Sequence, residues 1–124
     1  GTNLLSLKVI LSMNSIFKIY ALRNISKLVP SWVYKLEIGF DEQILGYATL
    51  KDGFDFFTNT TVGKHRITIR FMVNLATVSK LVDIPQIGEY EAKLKYHWQG
   101  WEDERFSVNL LNISHLRLNR FPYL

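Results

Sequence analysis

The chain has 124 residues, of which 48% are hydrophobic and 14% aromatic, a composition typical of one globular domain and not of a disordered segment. The absence of cysteine excludes a disulfide scaffold, a thiolate metal site and a cysteine nucleophile. Fifteen Lys and Arg against eleven Asp and Glu give a net charge of +4, and this small, scattered excess does not favour nucleic acid as a partner.

The N-terminal residues 4–11 are apolar at alternate positions, but the same residues would also share a helix face, so strand and helix both stay open. The segment is too short to span a bilayer, so no transmembrane segment is expected. It also lacks the flanks of a signal peptide, which favours a cytoplasmic location. We expect one domain over residues 1–124, with residues 1–12 as a peripheral strand or an extraneous segment and Met13 as a candidate natural start.

Three strands are predicted in the first half of the chain. Residues 16–22 are apolar on both faces except for Lys18, which indicates a central strand or one that another chain covers. Residues 33–40 alternate between apolar and polar side chains, as in a half-buried strand. Residues 44–50 predict a short strand in which Gly46 marks a bulge or a close approach of another group.

The middle of the chain contains the strongest turn signal and the longest alternation. Asp52-Gly53 predicts a tight turn, because glycine readily takes the positive φ that such turns need. A brief aromatic strand over residues 54–57, a polar loop over 58–63 and a long strand over 64–74 are expected to follow. Residues 75–85 show no clear period and predict an irregular connection.

Residues 88–110 predict a β-hairpin. Alternation over residues 90–98 returns in reverse over 106–110, with Gln99-Gly100 at the turn. Residues 113–119 predict a last strand. Seven or eight short strands at spacings of about ten residues favour an antiparallel immunoglobulin-like β-sandwich, with a small β-barrel as the alternative.

Two stretches resemble known β modules. Residues 34–71, with Gly46, Gly53 and Gly63-Lys64-His65 at their corners, are similar to PEGA-type small β-sandwich modules. Residues 84–110, with a Pro-x-x-Gly-x-Tyr corner, resemble the closing strands of immunoglobulin-like accessory domains. This resemblance implies a binding or structural module without catalytic residues.

No catalytic motif accompanies the three histidines, His65, His97 and His115. A nucleophile elbow, a zinc-protease helix motif and a phosphate-binding glycine loop are all missing, so we expect no enzyme and no cofactor. His65 falls on the apolar face of its strand and is expected to be a hydrogen-bonded core or corner residue. His97 and the acidic residues 102–104 offer metal ligands, but neighbours on a strand point to opposite faces, so a solvated turn is favoured and no metal site is predicted.

The hairpin tip is one candidate binding surface. Trp98 and Trp101, with Tyr96 and Glu102 beside them, could stack on a sugar ring or anchor a protein partner. The favoured alternative is a cross-strand aromatic pair that only stabilises the hairpin.

A second candidate surface is basic. Lys64, Arg66 and Arg70 share the polar face of one strand, where they could contact an anion. Weak pairs with carboxylates on neighbouring strands, such as Glu91, are the alternative.

Two functional hypotheses follow from this sequence. The first is a non-enzymatic module for protein–protein interaction or assembly, expected as a homodimer in which a second chain covers the outer face of residues 16–22. The second is a carbohydrate- or small-ligand-binding module that uses the aromatic hairpin tip.

Overall fold

The computed structural model describes residues 15–23, 35–97 and 105–114. They form eight strands: β1 (Ser15–Ala21), β2 (Lys35–Phe40), β3 (Gln43–Thr49), β4 (Phe54–Thr60), β5 (Gly63–Phe71), β6 (Thr77–Ile84), β7 (Glu89–Tyr96) and β8 (Phe106–Asn112). The predicted strand at residues 4–11 lies outside the described residues. So does most of the one predicted at 113–119, and β8 ends before it.

The strands form two four-stranded sheets. The first sheet has the order β4-β1-β7-β8 and the second has the order β3-β2-β5-β6. All neighbouring pairs are antiparallel except β1 and β7, which run parallel. Over the described residues the sheets do not close into a barrel, so the predicted β-sandwich is confirmed and the barrel alternative is wrong. β1 lies between β4 and β7, which confirms the central strand predicted from residues 16–22.

The core fills the space between the two sheets. Because side chains alternate along a strand, each strand sends every second residue inward. The inward residues with no exposed surface are Phe17, Ile19, Leu36, Ile38, Ile67, Ile69, Val78, Ile84 and Ala92. Burial of each large apolar side chain contributes roughly 1.5–3 kcal/mol. With hydrocarbon packed between the sheets, the surfaces left for binding are the outer faces, the strand edges and the loops.

The polar loop predicted over residues 58–63 is wrong. Thr58 and Thr60 continue β4, because they pair with Phe17 and Ser15 of β1. Pairing with a central strand satisfies their backbone groups, so polar side chains do not end the strand here. Only residues 61 and 62 separate β4 from β5.

The irregular connection predicted over residues 75–85 is also wrong, because residues 77–84 form β6. Its inward series holds Val78, Val82 and Ile84, but Lys80 interrupts that series. Leu81, at 69% exposure, places an apolar side chain on the outward series. These two residues interrupt the alternation of apolar and polar side chains from which the strand could have been predicted.

Gly46 marks the predicted bulge on β3. Ile38 pairs with Gly46 and Gly39 pairs with Ile44, so Leu45 is an extra residue between them. A Cβ added at Gly46 would lie 2.6 Å from the Phe56 ring of β4. Glycine therefore allows an aromatic ring of the first sheet to pack directly against the backbone of the second.

The β7–β8 hairpin is confirmed by its strand pairing, and the Gln99-Gly100 turn predicted for it lies outside the described residues. Leu94 pairs with Val108 and Tyr96 pairs with Phe106 in antiparallel register. Beyond the last pair, the His97 backbone N–H donates to the Arg105 carbonyl oxygen at 2.6 Å. The described part of the chain contains no helix long and apolar enough to cross a bilayer.

Candidate functional site

Asp41 joins the β2–β3 turn to the start of β5. It has a φ of 54°, which aspartate tolerates better than most residues. Its backbone N–H donates to the Arg66 carbonyl oxygen at 2.7 Å, and its Oδ1 accepts from the Arg66 N–H at 3.0 Å. Its Oδ2 lies 2.8 Å from Nδ1 of His65, so both carboxylate oxygens are engaged.

His65 is held on both sides of its ring. Besides the Asp41 contact, its Nε2 lies 2.7 Å from the carbonyl oxygen of Thr61. The ring stacks on Phe40 at 5.2 Å between centroids, and the side chain is 12% exposed. The Thr61 hydroxyl is farther from Nε2, at 3.5 Å, so the nearer carbonyl and not a nucleophile occupies this nitrogen. This is the hydrogen-bonded corner histidine predicted from the sequence. Its two ring nitrogens contact the β2–β3 turn and the β4–β5 turn.

An open pocket of about 480 Å³ lies beside this cluster. Carboxylates and cations both line it, together with one apolar side chain; the lining residues are Asp41, Glu42, Lys64, His65, Arg66 and Leu81. Because side chains of both charges line it, the pocket has no clear preference for an anion or a cation. The cluster is therefore best described as a structural contact.

We expect Asp41→Ala to lower the free energy of unfolding by about 1–2 kcal/mol. The variant loses two hydrogen bonds of a carboxylate that is 46% exposed and therefore partly screened by water. Asp41→Asn keeps one acceptor oxygen and should lose less. Urea unfolding followed by circular dichroism measures both, with Glu42→Ala as the exposed neighbouring control. Equal stability of Asp41→Ala and the control would contradict the described contact.

The basic residues Lys64, Arg66 and Arg70 lie together on the outer face of the second sheet, as predicted, and all three are exposed. Within the described residues, none of them forms an ion pair.

The carboxylates nearest to these cations in the sheet are Asp83, opposite Lys64, and Glu37, opposite Arg70. Glu91 lies on β7 of the other sheet, so the predicted pairing with it is wrong. An anion contact at the three cations stays a prediction.

At the hairpin tip, Tyr96 is half-buried. Its ring makes edge-on contacts with Phe106 at 5.2 Å and Phe71 at 6.4 Å between centroids, so it packs at the end of the core. Trp98, Trp101 and Glu102 lie outside the described residues. A carbohydrate or partner surface at this tip therefore stays a prediction.

His97 contacts a serine across the end of the β7–β8 hairpin, with its Nε2 3.0 Å from Oγ of Ser107. The acidic residues 102–104 that were weighed as its metal-binding neighbours lie outside the described residues. In the described ranges, no three His, Asp or Glu side chains come close enough together to hold a metal ion.

The outer face of the first sheet, here named the β1 face, combines apolar and charged side chains. Its middle row crosses all four strands and consists of Phe57, Lys18, Glu91 and Leu111, in the order β4, β1, β7, β8. Phe57 is 63% exposed and Leu111 is 51% exposed, so the row has an apolar residue at each end and opposite charges in the middle.

Lys18 contacts two aromatic rings. Its Nζ lies 4.9 Å from the centroid of Tyr20 and 5.7 Å from that of Phe57, within the range of cation–π contacts. Although Lys18 and Glu91 are neighbours in the parallel β1–β7 register, neither has an ion pair within the described residues. The middle row thus carries one charge of each sign that no described residue of opposite charge contacts.

Two further rows flank the middle row of the β1 face. One consists of Asn59, Ile16, Glu89 and Ile113, and the other of Asp55, Tyr20, Lys93 and Asn109. The sequence had indicated an apolar outer side only for residues 16–22. Phe57 and Leu111 were missed as members of this surface, because nothing in the local pattern says which strands flank β1.

Comparison with known proteins adds no functional information to this geometry. No protein-family model matches the chain and a search of the curated proteins finds no match either, so the resemblance to PEGA-type and immunoglobulin-like modules stays a prediction.

Proposed function

We propose that the chain is a non-enzymatic interaction module that assembles as a homodimer through the β1 face. The observation that supports this proposal most is the exposure of Phe57 and Leu111 at the two ends of a row whose middle residues, Lys18 and Glu91, form no ion pair with another described residue. Exposed apolar side chains gathered on one face mark protein contact surfaces, and charges of both signs beside them can give the contact its specificity.

The β1 face is favoured over the outer face of the second sheet because it carries apolar side chains on an inner strand as well as on its edge strands. Ile16 and Tyr20 lie on the central strand β1, next to Phe57 on β4. On the second sheet the exposed apolar residues lie on the edge strands, for example Tyr47 on β3 and Leu81 on β6, with charged residues between them. The β1 face can therefore bury apolar area on an inner strand as well as at its edges.

The size of the β1 face sets the expected strength of the dimer. Four strands about 4.8 Å apart, each about seven residues long at roughly 3.4 Å per residue, cover about 450 Å² per copy. Two copies would bury about 900 Å², below the roughly 1,200–2,000 Å² of stable complexes. We therefore expect a weak dimer, with a dissociation constant in the micromolar range or above.

Sedimentation and light scattering at protein concentrations from about 10 to about 500 µM cover the dissociation constant expected for such a dimer. The expected result is a mass that rises with concentration from 14.5 kDa towards twice that value. Phe57→Asp should remain monomeric at all concentrations and keep the wild-type unfolding midpoint, because the side chain is exposed. A wild-type chain that is monomeric throughout would contradict the proposal.

Leu81→Asp is the matched control. Leu81 is also apolar and exposed, but it lies on the outer face of the second sheet. We expect this variant to dimerise as the wild type does. If both Asp variants abolish association equally, the contact does not map to the β1 face.

A further inference from the structure

We infer that the two copies pack β1 face against β1 face about a two-fold axis parallel to the strands, which runs between β1 and β7. This inference rests on the proposed homodimer and specifies its geometry. It follows from the arrangement of charges in the rows of the β1 face, since a two-fold contact brings each residue of a surface against a residue that the same surface already contains.

An axis along the strands reverses the strand order of the second copy. Its β7 then lies over β1 of the first copy and its β8 over β4. Each row of the second copy lies over the same row of the first copy. Lys18 faces the second copy's Glu91, and Phe57 faces the second copy's Leu111. Because the axis acts both ways, the middle row alone supplies two ion pairs and two apolar contacts to the dimer.

The lack of an ion pair between Lys18 or Glu91 and any other residue in the described ranges supports this arrangement. The aromatic contacts of Lys18, to Tyr20 and Phe57, hold its ammonium group on the outer face. No ion pair with another described residue would have to break before either charge meets the second copy. The charges are thus available, and opposite in sign, where the two faces meet.

The row through Tyr20 is complementary under the same axis. Tyr20 faces the second copy's Lys93, an arrangement suited to a cation–π contact, and Asp55 faces the second copy's Asn109. The row through Ile16 brings Ile16 against the second copy's Glu89 and adds no such pair. The closest contact is therefore expected from the middle row towards the Tyr20 end.

An axis across the strands that passes through the middle row gives the opposite result. It would preserve the strand order, so Lys18 would face the second copy's Lys18 and Glu91 the second copy's Glu91. Like charges in direct contact disfavour association. Of the two axes that keep the middle row over itself, charge complementarity therefore selects the one along the strands.

Charge exchange at Lys18 and Glu91 tests the geometry. Lys18→Glu and Glu91→Lys each place like charges opposite one another twice per dimer, so each should raise the dissociation constant about tenfold or more. The double variant restores opposite charges and should dimerise as the wild type does. An equimolar mixture of the two single variants should form mixed dimers, because one chain then carries two negative charges and the other two positive charges at the contact.

The controls separate this inference from the proposed function. Lys64→Glu changes the net charge by the same amount on the other sheet and should leave dimerisation unchanged. Unfolding midpoints show whether each variant is folded, and Lys18→Gln, which removes a charge without adding its opposite, replaces Lys18→Glu if that variant is unstable. If the wild type is dimeric and both single variants associate as tightly as the wild type does, the strand-parallel axis is overturned and the homodimer still stands. A monomeric wild type would overturn both.

Discussion

Replacing Phe17 with alanine is expected to lower the free energy of unfolding by about 3–5 kcal/mol. Phe17 has no exposed surface and lies on the central strand of the first sheet. Its ring centroid is 5.2 Å from that of Phe40, on β2 of the second sheet, so it joins the two sheets. Alanine would leave a cavity between rigid strands that cannot collapse fully. Urea unfolding followed by circular dichroism measures the loss.

Phe57→Ala is the matched control for this prediction. Phe57 lies on β4, next to β1, but its ring points out of the sandwich and is 63% exposed. Measured at a concentration where the chain is monomeric, this variant should differ from the wild type by about 0.5 kcal/mol or less. Similar losses for Phe17→Ala and Phe57→Ala would contradict the assignment of inner and outer faces on the first sheet.

Gly53→Ala is expected to destabilise the chain by about 3 kcal/mol, through backbone strain together with steric overlap. Gly53 has a φ of 73°, which a residue with a Cβ adopts at a cost. An added Cβ would also lie 2.7 Å from the carbonyl oxygen of Ala21 and 2.9 Å from the backbone nitrogen of Arg23. These are backbone atoms at the end of β1, so they cannot move aside as a side chain would. The same urea titration measures the effect.

Gly39→Ala supplies the comparison. Gly39 does not have a positive φ, and the nearest atom to an added Cβ is the carbonyl oxygen of Gln43 at 3.3 Å. We expect a change of about 1 kcal/mol or less in either direction, because the gain from a less flexible unfolded chain offsets the tight contact. If Gly53→Ala were as mild as Gly39→Ala, the close approach of the β3–β4 turn to the end of β1 would be refuted.

Local alternation was sufficient to predict several strands and turns. The β7–β8 hairpin, the long strand β5 and the Asp52-Gly53 turn were visible because each depends on residues close together in the chain. β6 was missed, because Lys80 on its inner side and Leu81 on its outer side contradict the simple rule of apolar residues inside. At an edge strand a long side chain can face inward and still reach water, so the pattern weakens there.

The candidate surfaces were predicted only as far as they lie on one strand. Lys64, Arg66 and Arg70 are two or four residues apart on β5, so their shared face followed from period two. The contact of Asp41 with His65 spans 24 positions and depends on how the β2–β3 turn meets β5, which no local pattern reports.

The amino-acid sequence by itself determined that this chain forms strands, where the best-marked turns fall and which side of most strands is buried, because these properties depend on neighbours two residues apart. Only the tertiary structure decided that β1 pairs in parallel with β7 and lies beside β4. That choice assembles Phe57, Lys18, Glu91 and Leu111 into one row. The physical reason is that register and strand order are set by the packing of the whole core, in which residues 18 and 111 become part of one surface although most of the chain separates them.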